Sequence, residues 1–396
     1  MLSVKLSQRA RETEPFRAME LMARAGELAE AGHDIIHMEV GEPDFPTAAP
    51  IVRAGQEALG KGLTGYTDAP GILPLREKIA GWYARQYGVN LHPDRILVTT
   101  GGSGGLLLCA ACLVEPGHGV LLQDPGYPCN RSFIRQMGGK PQLVRADAGS
   151  RWQMSAASLA GAWNSETRGA LLASPSNPTG TVIRPGELQG IIGELERRQG
   201  YLIMDEIYHG LTYGEDHPVS SVLALTNDAF VINSFSKYFG MTGWRLGWLV
   251  APEAAVPALT RLAQNLFISA PTVAQYAALA AFSDESMAIF EERRLEFFAR
   301  RELLWPALTN MGFQLAGERS SGGAFYFYAR LPEGAPDAME FCRLLLESRG
   351  VATTPGPDFG EWGPDRHIRI AYTESRERLQ EAVDRIREFS GAGFRP

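Results

Sequence analysis

The chain has few cysteines, no long apolar run and no cluster of basic residues. Its 396 residues include 4 cysteines, and no stretch approaches the roughly twenty apolar residues of a membrane span. A net charge of −7 without a basic run argues against nucleic-acid binding. The amino terminus carries charges but lacks the apolar region of a signal peptide. Few cysteines and no leader together predict a cytoplasmic protein.

Two patterns that could mark a redox or metal site are weak. Cys109 and Cys112 form a C-x-x-C pattern, but they lie in an apolar helical run, where buried thiols are expected. His33 and His37 are close in sequence, yet no further ligands follow at a suitable spacing. We therefore predict that the protein has no metal site.

Strand-like and helix-like segments alternate along the chain, which predicts an α/β fold with a mostly parallel sheet covered on both faces. The length suffices for two domains. We expect a large domain at residues 45–284 and a small domain built from residues 1–44 and 285–396. A long helical pattern from Ser286 to Asn310 is expected to link them.

The most informative segment runs from Ser234 to Gly247. Lys237 follows an apolar strand-like run, which places it at a strand end, where open α/β enzymes bind their ligands. Lysine forms Schiff bases with aldehydes. Ser234, Ser236 and Arg245 supply the hydroxyls and the guanidinium that bind a phosphate monoester. An aldehyde and a phosphate together indicate pyridoxal 5′-phosphate (PLP); the alternative is an exposed lysine in a loop rich in Ser and Gly.

Two further strand ends supply groups for the pyridine ring of this cofactor. Asp205 ends an apolar run, and an acid there keeps the ring nitrogen protonated; its alternative role is to cap a following helix. Glu206 beside it is expected to be a solvated or structural acid. Tyr208 can direct its phenol at the ring's 3-oxygen. Asn177, in an Asn-Pro-Thr-Gly turn, can donate to the 3-oxygen or to a substrate carboxylate without adding charge.

A glycine-rich turn between a strand and an apolar helix follows Thr100. Gly102 and Ser103 are the expected phosphate donors, because glycines let the backbone approach an anion at a helix N-terminus. Nucleotide binding is disfavoured, since the third glycine of the dinucleotide motif and the Gly-Lys-Ser/Thr of a P-loop are missing. Tyr127 follows another apolar strand and could stack on the pyridine ring; otherwise it is an ordinary turn aromatic.

The ordered set of motifs resembles the class I/II aminotransferases, fold-type I PLP enzymes of the aspartate aminotransferase-like superfamily. The likeness runs from about Gly41 to about Tyr372. Its motifs are Gly41–Phe45, Gly65–Thr67, Asn177–Gly180, Asp205–Tyr208 and Ser234–Gly247. The resemblance implies fold type I, in which a large domain has a mostly parallel sheet of the seven-stranded type flanked by helices. A smaller α+β domain completes that fold.

The resemblance also implies roles for individual residues. Lys237 would carry the Schiff base and then shuttle the proton, while Asp205 would pair with the pyridine nitrogen. Tyr66 would reach the phosphate of a neighbouring subunit, which implies a homodimer with shared active sites. Arg369 would clamp the substrate α-carboxylate, with help from the main-chain N–H of Gly41. Without the resemblance, Arg369 is interpreted as an exposed charge on a strand.

The implied activity is transfer of the α-amino group of an L-amino acid to a 2-oxo acid, by a ping-pong mechanism through a Lys237 Schiff base. A PLP lyase is the alternative, such as a C–S β-lyase or a cyclopropane-carboxylate synthase-like enzyme. The ligand-sensing part of a transcription regulator is disfavoured, because about forty residues precede Gly41, too few for a helix-turn-helix module.

The side-chain specificity is less determined by the sequence. Ser103 stands where some relatives that favour aspartate have a lysine, which lowers the expectation of a dicarboxylate substrate. Phe16, Met19 and Tyr127 could line an apolar side-chain pocket. For Phe16 and Met19 the alternative is ordinary helix packing.

Overall fold

The computed structural model describes residues 4–13, 17–214 and 219–395. The helices are α1 Gln8–Glu12, α2 Arg17–Glu30, α3 Ala49–Gly60, α4 Leu73–Tyr87, α5 Gly101–Leu113, α6 Pro128–Gln136, α7 Ala156–Ala162, α8 Pro185–Arg197, α9 Val256–Leu266, α10 Thr272–Ala278, α11 Asp284–Asn310, α12 Ala338–Arg349 and α13 Arg376–Gly391. The strands are β1 Ile36–His37, β2 Ile96–Thr99, β3 Gly119–Asp124, β4 Lys140–Arg145, β5 Thr167–Ala173, β6 Tyr201–Asp205, β7 Thr212–Gly214, β8 Phe230–Ser234, β9 Gly247–Val250, β10 Gln314–Leu315, β11 Ser321–Gly323, β12 Tyr326–Arg330, β13 Val351–Ala352, β14 Thr354–Pro355 and β15 His367–Ala371.

A seven-stranded sheet in the order β2-β9-β8-β6-β5-β3-β4 forms the centre of the fold. Only β9 runs antiparallel to its neighbours in this sheet. Strands such as β2, β3 and β8 are buried along their whole length. Helices on both faces explain why these strands have nearly continuous apolar sequences. The predicted mostly parallel sheet is confirmed.

Three neighbouring parallel strands end at one edge of this sheet. Ala173 at the end of β5 pairs with Asp205 at the end of β6, and Asp205 pairs with Ile232 of β8. The carboxyl ends of parallel strands meet at a common edge, where open α/β folds bind ligands. The segments that leave these three strands carry the candidate residues.

A second, antiparallel sheet has the order β10-β12-β15-β14. The sequence predicts a single strand at residues 351–354, but the structure divides it. Residues 351–352 pair in parallel with β1, whereas residues 354–355 pair with β15. Thr353, between them, belongs to neither ladder, so neighbouring residues of one run pair with two different strands.

The long helix α11 begins at Asp284, two residues before the predicted start, and ends at Asn310 as predicted. Its start is set by Ser283, whose hydroxyl accepts a hydrogen bond from Ser286 N. We propose that α11 links the two domains, with the large domain at residues 45–284 and the small domain at residues 1–44 and 285–396. The pairing of β1 with β13 supports this division, because it joins the two parts of the small domain.

Within the described ranges, no helix has the length and apolar character that crossing a membrane requires. The same residues contain no group of three or more His, Cys, Asp or Glu side chains arranged for a metal ion.

Candidate active site

A cavity of about 450 Å³ opens at the carboxyl edge of the large sheet. Twelve of the thirteen residues that the sequence analysis assigns to the site line it. They are Gly41, Gly102, Ser103, Tyr127, Asn177, Asp205, Tyr208, Ser234, Ser236, Lys237, Arg245 and Arg369. These residues come from segments that are far apart in the sequence. The fold brings most of them together at the edge of the large sheet, and the small sheet contributes Arg369.

Lys237 lies in the turn after β8 and is half-buried. Its Nζ donates to the carbonyl oxygen of Gly41 at 2.7 Å and lies 5.9 Å from the centre of the Tyr208 ring. Burial, helped by the positive charge of Arg369, lowers the pKa of Lys237 to about 8. A substantial neutral fraction is then present near neutral pH, as a nucleophile or a general base requires.

Asp205 is the last residue of β6 and is 4% exposed. Burial raises the pKa of its carboxyl to about 7, against the opposing effect of a hydrogen bond from Ile207 N at 3.1 Å. A turn follows Asp205, so the helix-cap alternative is wrong. Glu206 is buried and accepts hydrogen bonds from Ser221 Oγ and Val222 N, which makes it structural rather than solvated.

The other end of the cavity is arranged for an anion. The helix α5 begins there at Gly101, whose φ is +70° and whose added Cβ would lie 2.7 Å from Arg245 Nη2. Arg245 Nη1 donates to the carbonyl oxygen of Thr242 at 3.0 Å. Ser234 Oγ donates to Ser236 Oγ at 3.0 Å beside it. Free N–H groups at a helix start, two hydroxyls and a guanidinium form a phosphate-binding set.

Arg369 lies on β15 and is 3% exposed, so its interpretation as an exposed strand charge is wrong. Its Nη1 donates to Asn177 Oδ1 at 3.1 Å, and its Nη2 donates to the carbonyl oxygen of Glu39. Its guanidinium carbon lies 4.5 Å from the centre of the Tyr326 ring. Its buried Nε finds no hydrogen-bond partner among the described residues. A buried guanidinium with a spare donor is suited to an incoming carboxylate.

Tyr326 is the main site residue that the sequence analysis did not identify. It begins β12, and its hydroxyl lies 2.9 Å from the hydroxyl of Tyr208. Its Oη would also lie 1.8 Å from a Cβ added to Gly41. Residues 324–328 form an apolar and aromatic run that predicts a strand, but nothing in that pattern indicates which ring faces the cavity.

The other residues that the sequence analysis named for the site or its side-chain pocket are Tyr66, Met19 and Phe16. Tyr66 is 82% exposed and is not among the residues that line the cavity. Met19 lines the cavity and is 51% exposed, so it is not packed as an ordinary core residue. Phe16 lies outside the described residues.

A family model described as aminotransferase class I and II matches residues 33–386. The chain belongs to this family. The aminotransferase is 38% identical over 385 residues to the (5-formylfuran-3-yl)methyl phosphate transaminase of Methanocaldococcus jannaschii, across 97% of this chain and 99% of that relative. It is 36% identical over 372 residues to the valine–pyruvate aminotransferase of Mycobacterium tuberculosis, across 94% and 95% of the two chains.

Solved structures give the same result for the fold. An aminotransferase from Mycobacterium tuberculosis superposes with a TM-score of 0.94 at 35% identity, over 98% of this chain and 100% of the other. The aspartate aminotransferase of Thermus thermophilus with maleate gives 0.91 at 30% identity, over 98% and 100%. The aminotransferase therefore has the aspartate aminotransferase-like fold that the sequence predicts.

Enzymes of this family are transaminases that depend on PLP, and the cavity fits that group. Asp205 offers a buried carboxylate to a protonated ring nitrogen, and Lys237 offers an amine with a lowered pKa to an aldehyde. A Cβ added to Gly101 would lie 2.7 Å from Arg245 Nη2, so the guanidinium lies beside the start of α5, where a helix offers free N–H groups to a phosphate. The cavity of this aminotransferase thus carries a complementary group for each end of the cofactor.

Proposed function

We propose that the aminotransferase moves the α-amino group of an L-amino acid to a 2-oxo acid by a ping-pong mechanism, with Lys237 bound covalently to PLP between turnovers. The observation that supports this proposal is the position of Lys237. Its amine has a lowered pKa, and its Nζ donates to the carbonyl oxygen of Gly41 inside the cavity that the other site residues line. When bound, PLP supplies an aldehyde and a ring that stabilises negative charge from the substrate α-carbon.

The residues around the ring and the phosphate divide into three groups in this proposal. Asp205 holds a proton on the ring nitrogen, because a buried carboxylate strongly favours a neighbouring positive charge. Tyr208 and Asn177 donate to the 3-oxygen, and Tyr127 stacks on the ring. The phosphate is bound by Gly102, Ser103, Ser234, Ser236 and Arg245.

We assign the substrate α-carboxylate to Arg369, supported by its burial and its spare Nε donor. The hydrogen bond to Asn177 and the contact with the Tyr326 ring restrict the orientation of the guanidinium before substrate arrives. The main-chain N–H of Gly41 assists. Lys237 Nζ, released by the substrate, then takes the proton from the α-carbon and returns it on the cofactor side.

The charges inside one protomer favour a substrate with an uncharged side chain. Among the described residues that line the cavity, the cations are Lys237, Arg245 and Arg369, each of which already has a partner in this proposal. The acidic residues that line it are Asp205, which is assigned to the ring nitrogen, Glu39 and Glu42. A side-chain carboxylate would therefore meet negative charge without a counter-ion.

We further propose a homodimer in which Tyr66 reaches the phosphate in the partner's site. The loop of Tyr66 is held outward, since Thr272 Oγ1 donates to Gly65 O at 2.7 Å and Gln275 Nε2 donates to Thr67 Oγ1 at 3.0 Å. Mixing the Tyr66→Ala and Lys237→Ala variants should restore up to roughly a quarter of the activity, because random pairing rebuilds one intact site in the mixed dimers. An inactive mixture that has exchanged subunits would contradict site sharing.

The thiols support the cytoplasmic location that the composition predicts. All four cysteines of the chain are free thiols. Burial raises the pKa of the core thiol Cys109 and of the partly buried thiol Cys112, which argues against a reactive redox pair. Unpaired cysteines are typical of proteins from a reducing compartment.

The experiment that tests the function is an absorbance titration of the PLP-loaded enzyme with single L-amino acids and no oxo acid. We expect the band of the lysine-bound cofactor to be replaced by that of the aminated cofactor, with one equivalent of oxo acid released. Lys237→Ala should abolish this band, whereas Lys140→Ala, at an exposed ion pair with Glu166, should leave it unchanged.

Three outcomes would contradict the proposal or its argument from charge. Continued formation of pyruvate and ammonia with a persistent band would identify the lyase alternative instead. Transamination that survives in Lys237→Ala would remove the covalent role of the lysine. A preference for aspartate over alanine, valine or methionine in the same titration would contradict the argument from charge.

A further inference from the structure

Asp124 is a buried carboxylate at the carboxyl end of β3 that the proposed reaction does not use. It is 1% exposed, and its Oδ2 accepts a hydrogen bond from Glu361 N at 2.7 Å. The backbone of Trp362 also hydrogen-bonds to it. A Cβ added to Gly360 would lie 1.9 Å from Asp124 Oδ1. Three consecutive residues of a distant loop therefore enclose this carboxylate.

The loop at residues 358–362, called here the clasp segment, is also held from the connection between β3 and α6. Gly126 N donates to the carbonyl oxygen of Phe359 at 2.9 Å. Arg131 Nη2 donates to the carbonyl oxygen of Asp358 at 2.8 Å. Gly126, in this connection, and Arg131, in α6, thus bind a segment that leads toward β15 of the small sheet.

The clasp segment reaches the substrate site through Phe359. This buried ring lies 4.9 Å from the guanidinium carbon of Arg369, which also contacts the ring of Tyr326 at 4.5 Å. Cation–π contacts with two rings restrict the plane of a guanidinium. Movement of the clasp segment would remove one of these two rings.

We infer that Asp124 is a positioning residue for amino-acid binding: it holds the clasp segment on the large sheet, so that Phe359 fixes the guanidinium of Arg369. The link to binding rests on the proposed role of Arg369. Asp124 itself is not among the residues that line the cavity. Its loss is therefore expected to raise KM for amino acids while leaving the chemical step nearly unchanged.

The contact itself is tested by hydrogen exchange on the full chain without cofactor. Asp124→Asn removes the charge, and Gly360→Ala inserts a methyl group against the carboxylate from the opposite side. In both variants we expect peptides covering residues 358–362 to exchange about tenfold faster or more, as for loss of a hydrogen bond to a charged group. Glu194→Gln on α8 is the matched control, because it removes another buried carboxylate far from the clasp segment.

The link to substrate binding is tested by a double-mutant cycle in the PLP-loaded enzyme. We expect Asp124→Ala and Gly360→Ala each to raise KM for amino acids about tenfold, with kcat changed less than about twofold. In the double variant the added methyl group meets no carboxylate. Its KM should therefore equal that of Asp124→Ala alone rather than the product of the two effects. If Asp124→Ala does not fold, the same cycle is run with Asp124→Ser, whose shorter side chain also lacks the atom that the added methyl group would meet.

The two measurements test different steps of the inference, so each can contradict it independently. Unchanged exchange at residues 358–362 would overturn the clasp, whatever Arg369 does. Faster exchange with an unchanged KM would overturn its link to amino-acid binding. A multiplicative rise in KM in the double variant would show that the two residues act independently, which would also overturn the inference.

Discussion

Gly41→Ala tests how closely the loop before the large domain packs on the small sheet. The added Cβ would lie 1.8 Å from Tyr326 Oη and 2.9 Å from its Cζ, whereas ordinary contact begins at 3.4 Å. The ring cannot move freely, because Tyr326 is buried between its hydrogen bond to Tyr208 and its contact with Arg369. Either the ring or the backbone at Gly41 must shift by more than 1 Å, on the order of the shortfall.

We expect this substitution to lower the free energy of unfolding by about 1–3 kcal/mol, the usual cost of overpacking. Activity should fall further, since the carbonyl of Gly41 accepts from Lys237 Nζ and Tyr326 contacts Arg369. A displacement of about 1 Å at reacting groups lowers kcat/KM roughly 10²-fold. Adding Tyr326→Phe removes the closest atom, so the double variant should recover part of both losses.

Urea denaturation and steady-state kinetics measure the two effects. Gly193→Ala is the matched control, because that glycine lies in α8 and an added Cβ meets nothing within 4 Å. It should stabilise the protein by about 0.5–1 kcal/mol through helix propensity. Wild-type stability and activity in Gly41→Ala would refute the steric argument. So would a double variant that is worse than either single one.

Three further predictions concern the site residues Asp205 and Arg369 and the buried His209. Asp205→Ala should lower kcat far more than the affinity for PLP, and an unchanged kcat would contradict the proposed role at the ring nitrogen. Arg369→Lys should raise KM for all amino acids alike, because the α-carboxylate is common to them; a selective rise would indicate contact with side chains. Burial lowers the pKa of His209 to about 3. Below about pH 6.5 the unfolded chain binds this proton, whereas the folded chain does so only below about pH 3. The contribution of His209 to the free energy of unfolding is therefore fully present above pH 6.5 and falls by roughly 1.4 kcal/mol per pH unit between these two values. Denaturation curves of His209→Gln should lack this acid-side loss.

The sequence predicted the centre of the candidate site well because its evidence is local. Asp205 and Lys237 each follow a run of apolar residues, and a strand followed by a polar residue is visible in a short window. The rule that parallel strands bind ligands at their carboxyl ends then brings these residues together. Arg369 was different, since its alternation with two isoleucines equally fitted an exposed strand charge.

Most strands, the order of the motifs and the polar residues at the carboxyl edge follow from the sequence, because each depends on residues within a few positions of one another. The burial of Arg369, the contact of Tyr326 with Gly41 and the contact of the clasp segment with Asp124 depend on the tertiary structure. The contacts of Tyr326 with Gly41 and of Glu361 with Asp124 join residues more than two hundred positions apart. The packing of the two sheets against each other decides them, and no local pattern encodes that packing.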